Sequence, residues 1–251
     1  WIRPVNDSVI FSPPWPISFL RFCFNLPRLS EDLDFDFVTN IDHKIFANDI
    51  HKFLKKVTSI EEVEAVINGK NKKIYFKFPI LEELNLSYNN SNILYVKVEA
   101  SPTTINSEKV EVTAISRDGF YFYLKRYSLA DLMSGKICAF LTRAFFKGEK
   151  NEIDFKGRDL FDLVWYIGQN IVPNKERLKK GLNDVGYKYD RWEELLEQIQ
   201  NKINTIKKQH LIMDLAQFIE DHNLLNNFLE NYKKISDQYV ENQKKNIWIF
   251  P

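Results

Sequence analysis

The chain has 251 residues, of which 44% are hydrophobic and 14% aromatic, and its formal net charge is +1. This composition supports a sizeable apolar core and excludes global disorder, and the near-zero charge excludes a strongly basic or acidic protein. No run of about 18 apolar residues and no signal-peptide pattern occurs, so we predict a soluble, cytoplasmic protein with no membrane partner.

The first clear pattern is an acidic strand. Residues 1–16 contain four prolines and show neither a helical nor a central-strand pattern, and residues 17–24 predict a short apolar helix. From Asp32 to Phe37 acidic and apolar residues alternate, so Asp32, Asp34 and Asp36 would share one face of a strand. A solvated edge strand has the same pattern. A cation site is the alternative, because three like charges repel unless something neutralises them.

The next elements are a helix and a set of strands. The pattern predicts a helix over residues 45–57, a hairpin over 64–67 and 73–78, a strand over 93–100, and a strand pair over 110–115 and 119–124. In the strand over 93–100, Tyr95, Lys97 and Glu99 share one face. Glu99 therefore has the facing needed to join Asp32 and Asp34, and a solvent-facing glutamate is the alternative.

After residue 127 the period becomes helical. Helices are predicted over residues 129–143 and 156–171, with a polar loop over 144–155. Three or four further helices are predicted from Pro173 to about residue 242, and the helical period is clear over 192–206 and 211–239. We predict an α+β protein, with a mixed sheet flanked by helices in residues 1–127 and a helical bundle in residues 128–251. Residues 174–210 hold nine Lys and Arg against six Asp and Glu, which suits either a phosphate backbone or an ordinary solvated surface.

The spacing of the acidic residues points to a divalent cation. Asp32 and Asp34 would lie roughly 6–7 Å apart along a strand, close enough to converge on one ion. Mg²⁺ takes oxygen ligands and is usually bound by one or two carboxylates together with phosphate oxygens, and Mn²⁺ accepts the same ligands. A third carboxylate, Glu99, would complete the set.

Three motifs, in order, give the chain a family resemblance. The first is Leu26-Pro27-Arg28-Leu29-Ser30-Glu31-Asp32-Leu33-Asp34-Phe35, the second is residues 129–143 with Lys136 between Met133 and Phe140, and the third is Lys156-Gly157-Arg158-Asp159-Leu160-Phe161-Asp162-Leu163. Together they resemble the AbiEii/AbiGii-type nucleotidyltransferase toxins, within the wider DNA polymerase β-like superfamily. The resemblance implies a nucleotidyltransferase fold for the first part of the chain.

The resemblance also implies roles for individual residues. The implied catalytic residues are Asp32, Asp34, Glu99, Lys136 and Asp159. The implied nucleotide-binding residues are Ser18, Arg28, Ser30 and Lys136, with Lys136 meeting the triphosphate. Asp32, Asp34 and Glu99 would hold Mg²⁺ or Mn²⁺, Glu99 being placed by its strand facing. Arg158 and Asp162, four residues apart, are expected to pair on their helix.

The implied reaction is transfer of a nucleotidyl group from an NTP to a hydroxyl of an RNA (tRNA-like) or protein acceptor. The implied context is abortive infection or a toxin–antitoxin pair, with an antitoxin protein as partner. Family members carry Gly-Gly-Ser/Thr before the acidic strand, whereas this chain has Pro16-Ile17-Ser18, in which Pro16 has no N–H to donate. A non-catalytic binding or interaction protein with the same fold is therefore the alternative, and a metal-dependent phosphohydrolase is a third hypothesis.

Overall fold

The computed structural model describes residues 9–10, 17–30, 32–37, 42–58, 60, 62–68, 73–87, 91–102, 110–117, 119–143 and 155–246. For Ser18 and Asp32 the description covers the backbone alone. The predicted turn around residue 69 and most of the predicted loop over 144–155 lie outside these residues. Among the described helices, none is long and apolar enough to cross a membrane.

The chain divides into two compact units. The first comprises Trp1–Asn25 and Ser30–Ser128, and the second comprises Leu26–Leu29 and Leu129–Pro251. The short segment Leu26–Leu29 thus belongs to the second unit, although it precedes most of the first unit in the sequence.

The first unit contains a mixed sheet. Its described strands are β1 (Val9–Ile10), β2 (Asp32–Phe37), β3 (Glu64–Asn68), β4 (Lys73–Pro79) and β5 (Ile93–Pro102), and a separate antiparallel ribbon consists of β6 (Val110–Arg117) and β7 (Phe120–Tyr127). The sheet order is β1-β2-β5-β4-β3. β2 and β5 run parallel, whereas the other neighbouring strands are antiparallel. The acidic strand is therefore an interior strand of the described sheet, next to the strand that carries Glu99.

One face of the sheet forms the core of the first unit. Helix α1 (Ile17–Phe24) precedes β2, and helix α2 (His43–Val57) follows it. The buried cluster contains Phe46 and Ala47 of α2 together with Phe37, Ile74, Phe76, Val98 and Ala100 of the strands. The helix was predicted to begin at residue 45. It begins two residues earlier because the Asp42 side chain accepts hydrogen bonds from the Lys44 and Ile45 backbone N–H groups and caps it.

The second unit is helical over its described residues. Its helices are α3 (Leu129–Thr142), α4 (Gly157–Gly168), α5 (Lys175–Asp184), α6 (Trp192–Thr205), α7 (Lys208–Leu215) and α8 (His222–Asn246). The predicted helix over 156–171 ends at Gly168, because Asn170 adopts φ 56° and the Ile171 N–H turns back to the Tyr166 carbonyl. The three or four helices predicted after Pro173 are α5 to α8. The periodic region over 211–239 contains parts of α7 and α8, and the Asp221 carboxylate caps α8 by accepting from the Asn223 N–H.

Candidate active site

Strand β2 places its acidic residues beside β5. In the parallel register, Asp34 is opposite Glu99 and Asp32 is opposite Lys97. Residues in register on neighbouring strands share a face of the sheet, with the strands about 4.8 Å apart. The core side is taken by residues such as Phe37 and Val98, so Asp34 and Glu99 lie together on the opposite, polar face. Glu99 therefore lies on the same face of the sheet as Asp34, as the sequence predicts, and the chemical role of Glu99 stays a prediction.

Two lysines hold the Glu99 carboxylate. Lys73 Nζ lies 2.9 Å from Glu99 Oε1, and Lys97 Nζ lies 3.0 Å from the same oxygen. Partial burial acts to raise the pKa of Glu99, but the hydrogen bonds and charges of the two lysines outweigh it and lower this pKa. The Glu99 carboxylate is therefore ionised at neutral pH, and the two lysines fix its orientation.

The third carboxylate of β2 has a structural partner. Asp36 is buried, and the Tyr127 hydroxyl at the end of β7 donates a hydrogen bond to its Oδ2 at 3.2 Å. Because a buried carboxylate needs such a partner, Asp36 links the mixed sheet to the ribbon. Of the three acidic residues of β2, Asp32 and Asp34 remain the candidates for the metal.

The donors on the polar face fit Mg²⁺ or Mn²⁺ in chemical type, because Asp34 and Glu99 supply carboxylate oxygens from adjacent strands. Both lysines bond to Glu99 Oε1. No group of three His, Cys, Asp or Glu side chains that could hold a metal ion occurs among the described residues. The Asp32 side chain is not among them, so a three-carboxylate set remains a proposal.

A second cluster of charged side chains lies in the core of the second unit. The Arg28 guanidinium donates from Nε to Asp162 Oδ1 at 2.6 Å and from Nη2 to Oδ2 at 2.7 Å. Lys136 Nζ lies 2.9 Å from Asp162 Oδ2 and 3.1 Å from Asp159 Oδ1. Arg143 Nη1 completes the set, 2.8 Å from Asp159 Oδ2. We call these five residues the Arg28–Asp162 cluster.

Four of the five side chains in the Arg28–Asp162 cluster are almost fully buried, and that of Arg143 is 19% exposed. The Arg28 and Asp162 side chains are 0% exposed, and that of Lys136 is 1% exposed. Burial acts to raise the pKa of Asp162, but attraction to Arg28 and Lys136 and the hydrogen bonds from both outweigh it and hold this pKa below its usual range. Removal of one partner from such a buried set typically costs about 3–5 kcal/mol, because the remaining charges are left without compensation.

Several predicted site residues fall in the Arg28–Asp162 cluster. Arg28 and Lys136 were expected to contact the nucleotide, and Asp159 was expected to lie near the site. The structure brings all three together, each bonded to side chains of opposite charge. Their roles toward a nucleotide stay predictions.

The expected Arg158–Asp162 helix pair is wrong. Asp162 points into the Arg28–Asp162 cluster, whereas Arg158 lies over the Phe218 ring, 4.0 Å from its centroid, and its backbone N–H donates to Asp214 Oδ2. Asp214 approaches the start of α4 so closely that a Cβ on Gly157 would lie 3.3 Å from its Cβ. The glycine of the Lys156–Asp162 motif therefore has a packing role.

The remaining predicted residues lie in the first unit. Ser18 is on α1, where its side chain is not described, and Ser30 is partly buried two residues before β2. Sequence reasoning omitted Lys73, Lys97 and Arg143 from the site. Lys97 could have been predicted from the sequence, because it lies two residues before Glu99 on the same strand face. Lys73 could not, because its register with Glu99 depends on strand pairing.

Two comparisons with known protein sequences match most of this chain. The family model described as nucleotidyl transferase AbiEii toxin, type IV TA system, matches residues 18–245. The chain is also similar to purine nucleoside phosphorylase RC0672 of Rickettsia conorii, with 28% identity over 195 residues, which cover 70% of this chain and 73% of that protein.

A solved structure shows the same fold. The crystal structure of JHP933 from Helicobacter pylori aligns with a TM-score of 0.52 and 17% sequence identity, covering 96% of this chain and 87% of that one. At this identity the likeness shows the fold alone. Together with the family match, it confirms the predicted α+β class, with a nucleotidyltransferase-type mixed sheet followed by helices.

Proposed function

The chain belongs to the AbiEii nucleotidyltransferase toxin family, and from this premise we propose that it transfers a nucleotidyl group from an NTP to a hydroxyl of an RNA or protein acceptor. The observation that carries the proposal is the parallel register that sets Asp34 beside Glu99 on the polar face of the sheet. Carboxylates on adjacent strands give a divalent cation its oxygen ligands. We expect an antitoxin protein to neutralise the activity, in the cytoplasm.

We assign the metal to the carboxylates of β2 and β5. Asp32, Asp34 and Glu99 would hold Mg²⁺ or Mn²⁺, which when bound supplies charge neutralisation for the triphosphate and for the departing pyrophosphate. The two lysines on Glu99 Oε1 fix the carboxylate direction and keep it ionised. Glu99 can then serve as a metal ligand or accept the proton of the acceptor hydroxyl.

We assign a positioning role to the Arg28–Asp162 cluster. Its arginine lies in the segment Leu26–Leu29, and the Leu29 N–H also donates to the Phe218 carbonyl at 2.7 Å. The chain leaves this segment at Ser30 and enters β2 at Asp32. The buried ion pairs of Arg28, just before Ser30 in the chain, therefore limit the conformational freedom of Asp32, just after it. In this assignment Arg28 acts through the direction of the chain, and the nucleotide contacts of Arg28 and Lys136 stay predictions.

The proposal is tested by following label from each of the four NTPs into total RNA or protein, with Mg²⁺ present. We expect transfer from at least one NTP, and loss of transfer of at least about 100-fold in Asp34→Asn, because removing a metal ligand removes charge stabilisation of the transition state. Glu64→Gln is the matched control. Glu64 is an exposed carboxylate of the same sheet, on β3, and its loss should leave transfer unchanged.

Two results would replace the proposal. No transfer from any NTP, together with no calorimetric heat for NTP plus Mg²⁺, would favour the non-catalytic binding protein. Release of free purine from a nucleoside and inorganic phosphate would favour the activity named for the similar Rickettsia conorii protein. An Asp34→Asn variant that transfers label as fast as the unmodified chain would show that the carboxylate set is not the reaction centre.

A further inference from the structure

The polar face of the mixed sheet carries two ammonium groups next to the proposed metal carboxylates. Glu99 is opposite Asp34 on β2 and opposite Lys73 on β4, so these three residues form one row across the sheet. Lys97 starts the next row, opposite Asp32. Because residues in register share a face, Lys73 and Lys97 point to the side of the sheet where Asp34 and Glu99 lie.

Both lysines reach solvent at this position. Their side chains are 34% and 24% exposed, and each ammonium bonds to Glu99 Oε1. An ammonium has three N–H donors, and Lys97 has a further contact besides Glu99, so both groups are held at this position by the protein itself. Because both ammonium groups reach solvent, they can hold Glu99 and also donate to a second anion that enters from the solvent side.

A triphosphate is the anion that this charge arrangement fits. The carboxylates at Asp32, Asp34 and Glu99 would repel phosphate oxygens, and the chain has Pro16-Ile17-Ser18 where backbone N–H groups of a Gly-Gly element would receive them. Two ammonium groups within about two strand spacings of Asp34 offset that repulsion at close range.

We propose that Lys73 and Lys97 bind the triphosphate of the nucleotide and take over the role of the missing glycine element. This inference rests on the proposed function, since it assigns the phosphate contacts of the same site. It adds two substrate-binding residues, from β4 and β5, to the carboxylates of β2 and β5.

Lys77 provides a matched control. It lies on β4 four residues after Lys73 and therefore on the same face, and its side chain is 29% exposed. It is also bonded to a glutamate of a neighbouring strand, Glu64, at 3.4 Å. Its register partner on β5 is Tyr95, so it is not next to a metal carboxylate.

The experiment measures two affinities for Lys73→Met, Lys97→Met and Lys77→Met. Calorimetry gives the dissociation constant of each NTP with Mg²⁺, and Mn²⁺ titration followed by electron paramagnetic resonance gives that of the metal alone. We expect Lys73→Met and Lys97→Met each to weaken NTP binding by about 10-fold or more, as for loss of a charge-assisted hydrogen bond. We expect Lys77→Met to stay within about twofold, and metal binding alone to be unchanged or tighter, because a repelling cation is removed.

Two outcomes would overturn the inference while the proposed function stands. One is NTP affinity in Lys73→Met and Lys97→Met equal to that of Lys77→Met. The other is an equal loss of NTP and metal affinity, which would mean that the lysines act only by holding Glu99. If the unmodified chain binds no NTP at all, the proposed function fails and the inference fails with it.

Discussion

Replacing Asp162 by asparagine tests the energetics of the Arg28–Asp162 cluster. The substitution keeps the shape of the side chain and removes its charge, so two buried cations, Arg28 and Lys136, lose a carboxylate that lies 2.6–2.9 Å from their nitrogen atoms. Breaking a buried pair in this way costs about 3–5 kcal/mol. With a urea dependence of about 2 kcal/mol per molar, the unfolding midpoint of the second unit should fall by about 2 M.

Because the chain has two units, a local probe is needed for this measurement. Hydrogen exchange followed by mass spectrometry reports opening of α3 and α4 separately from the sheet of the first unit. We expect faster exchange in the peptides of α3 and α4, with much smaller changes in β4. Asp190→Asn, at an exposed aspartate of the same unit, is the control and should change the free energy of unfolding by less than about 0.5 kcal/mol.

A second variant separates charge from packing. Since a fully apolar replacement of a buried ion cluster is often neutral or stabilising, Asp162→Leu combined with Arg28→Met and Lys136→Met should recover part of the stability lost in Asp162→Asn. An Asp162→Asn midpoint equal to that of Asp190→Asn would refute the reasoning. It would mean that water or local rearrangement neutralises the cluster at little cost.

Further expectations concern pH, cysteines and one glycine. The pKa of Asp162 is lowered in the folded chain. The contribution of this carboxylate to folding stability is therefore fully present above the ordinary aspartate pKa of about 3.9, and it is lost as the pH falls through the lower pKa of the folded chain. The stability difference between the unmodified chain and Asp162→Asn, followed by urea titration from pH 7 to 3, should therefore narrow only below about pH 4. Burial raises the pKa of Cys23 to about 12 and of Cys138 to about 11. Alkylation by iodoacetamide at pH 8 should then be at least about 10-fold slower than in urea, as mass spectrometry can show. Gly181→Ala should lower the free energy of unfolding by about 1–3 kcal/mol in urea titration, since its Cβ would lie 2.9 Å from Cys138 Sγ.

The strand elements of the site could be predicted from local patterns. Alternation from Asp32 to Phe37 predicted β2, and the facing of Glu99 followed from its strand. The register that sets Asp34 beside Glu99 could not be predicted, because the two residues are 65 positions apart and their pairing depends on the whole sheet. The lysines on Glu99 were missed for the same reason.

The second unit shows a different limit of sequence reasoning. Lys136 between Met133 and Phe140 already suggested a lysine on a buried helix face, and the structure buries all three. Its partners could not be predicted, because Asp159 and Asp162 lie on another helix. Arg28, which also bonds to Asp162, is 134 positions away from it. Helical spacing favoured Arg158 as the partner of Asp162. This prediction failed because a pattern within one helix contains no information on a segment that docks from elsewhere in the chain.

The place of Leu26–Leu29 in the second unit has a consequence for dissecting this protein. A recombinant fragment that starts at Leu129 carries Asp162 and Lys136 without Arg28. Its interior therefore lacks the arginine that makes two hydrogen bonds to Asp162. A fragment that stops at Ser128 exposes Arg28 and the apolar Leu26, which is 1% exposed in the whole chain. During translation Arg28 also lacks its partner for a time, because Arg28 is synthesised long before Asp162. Supplying residues 26–29 through a linker ahead of Leu129 would give the helical half its complete interior.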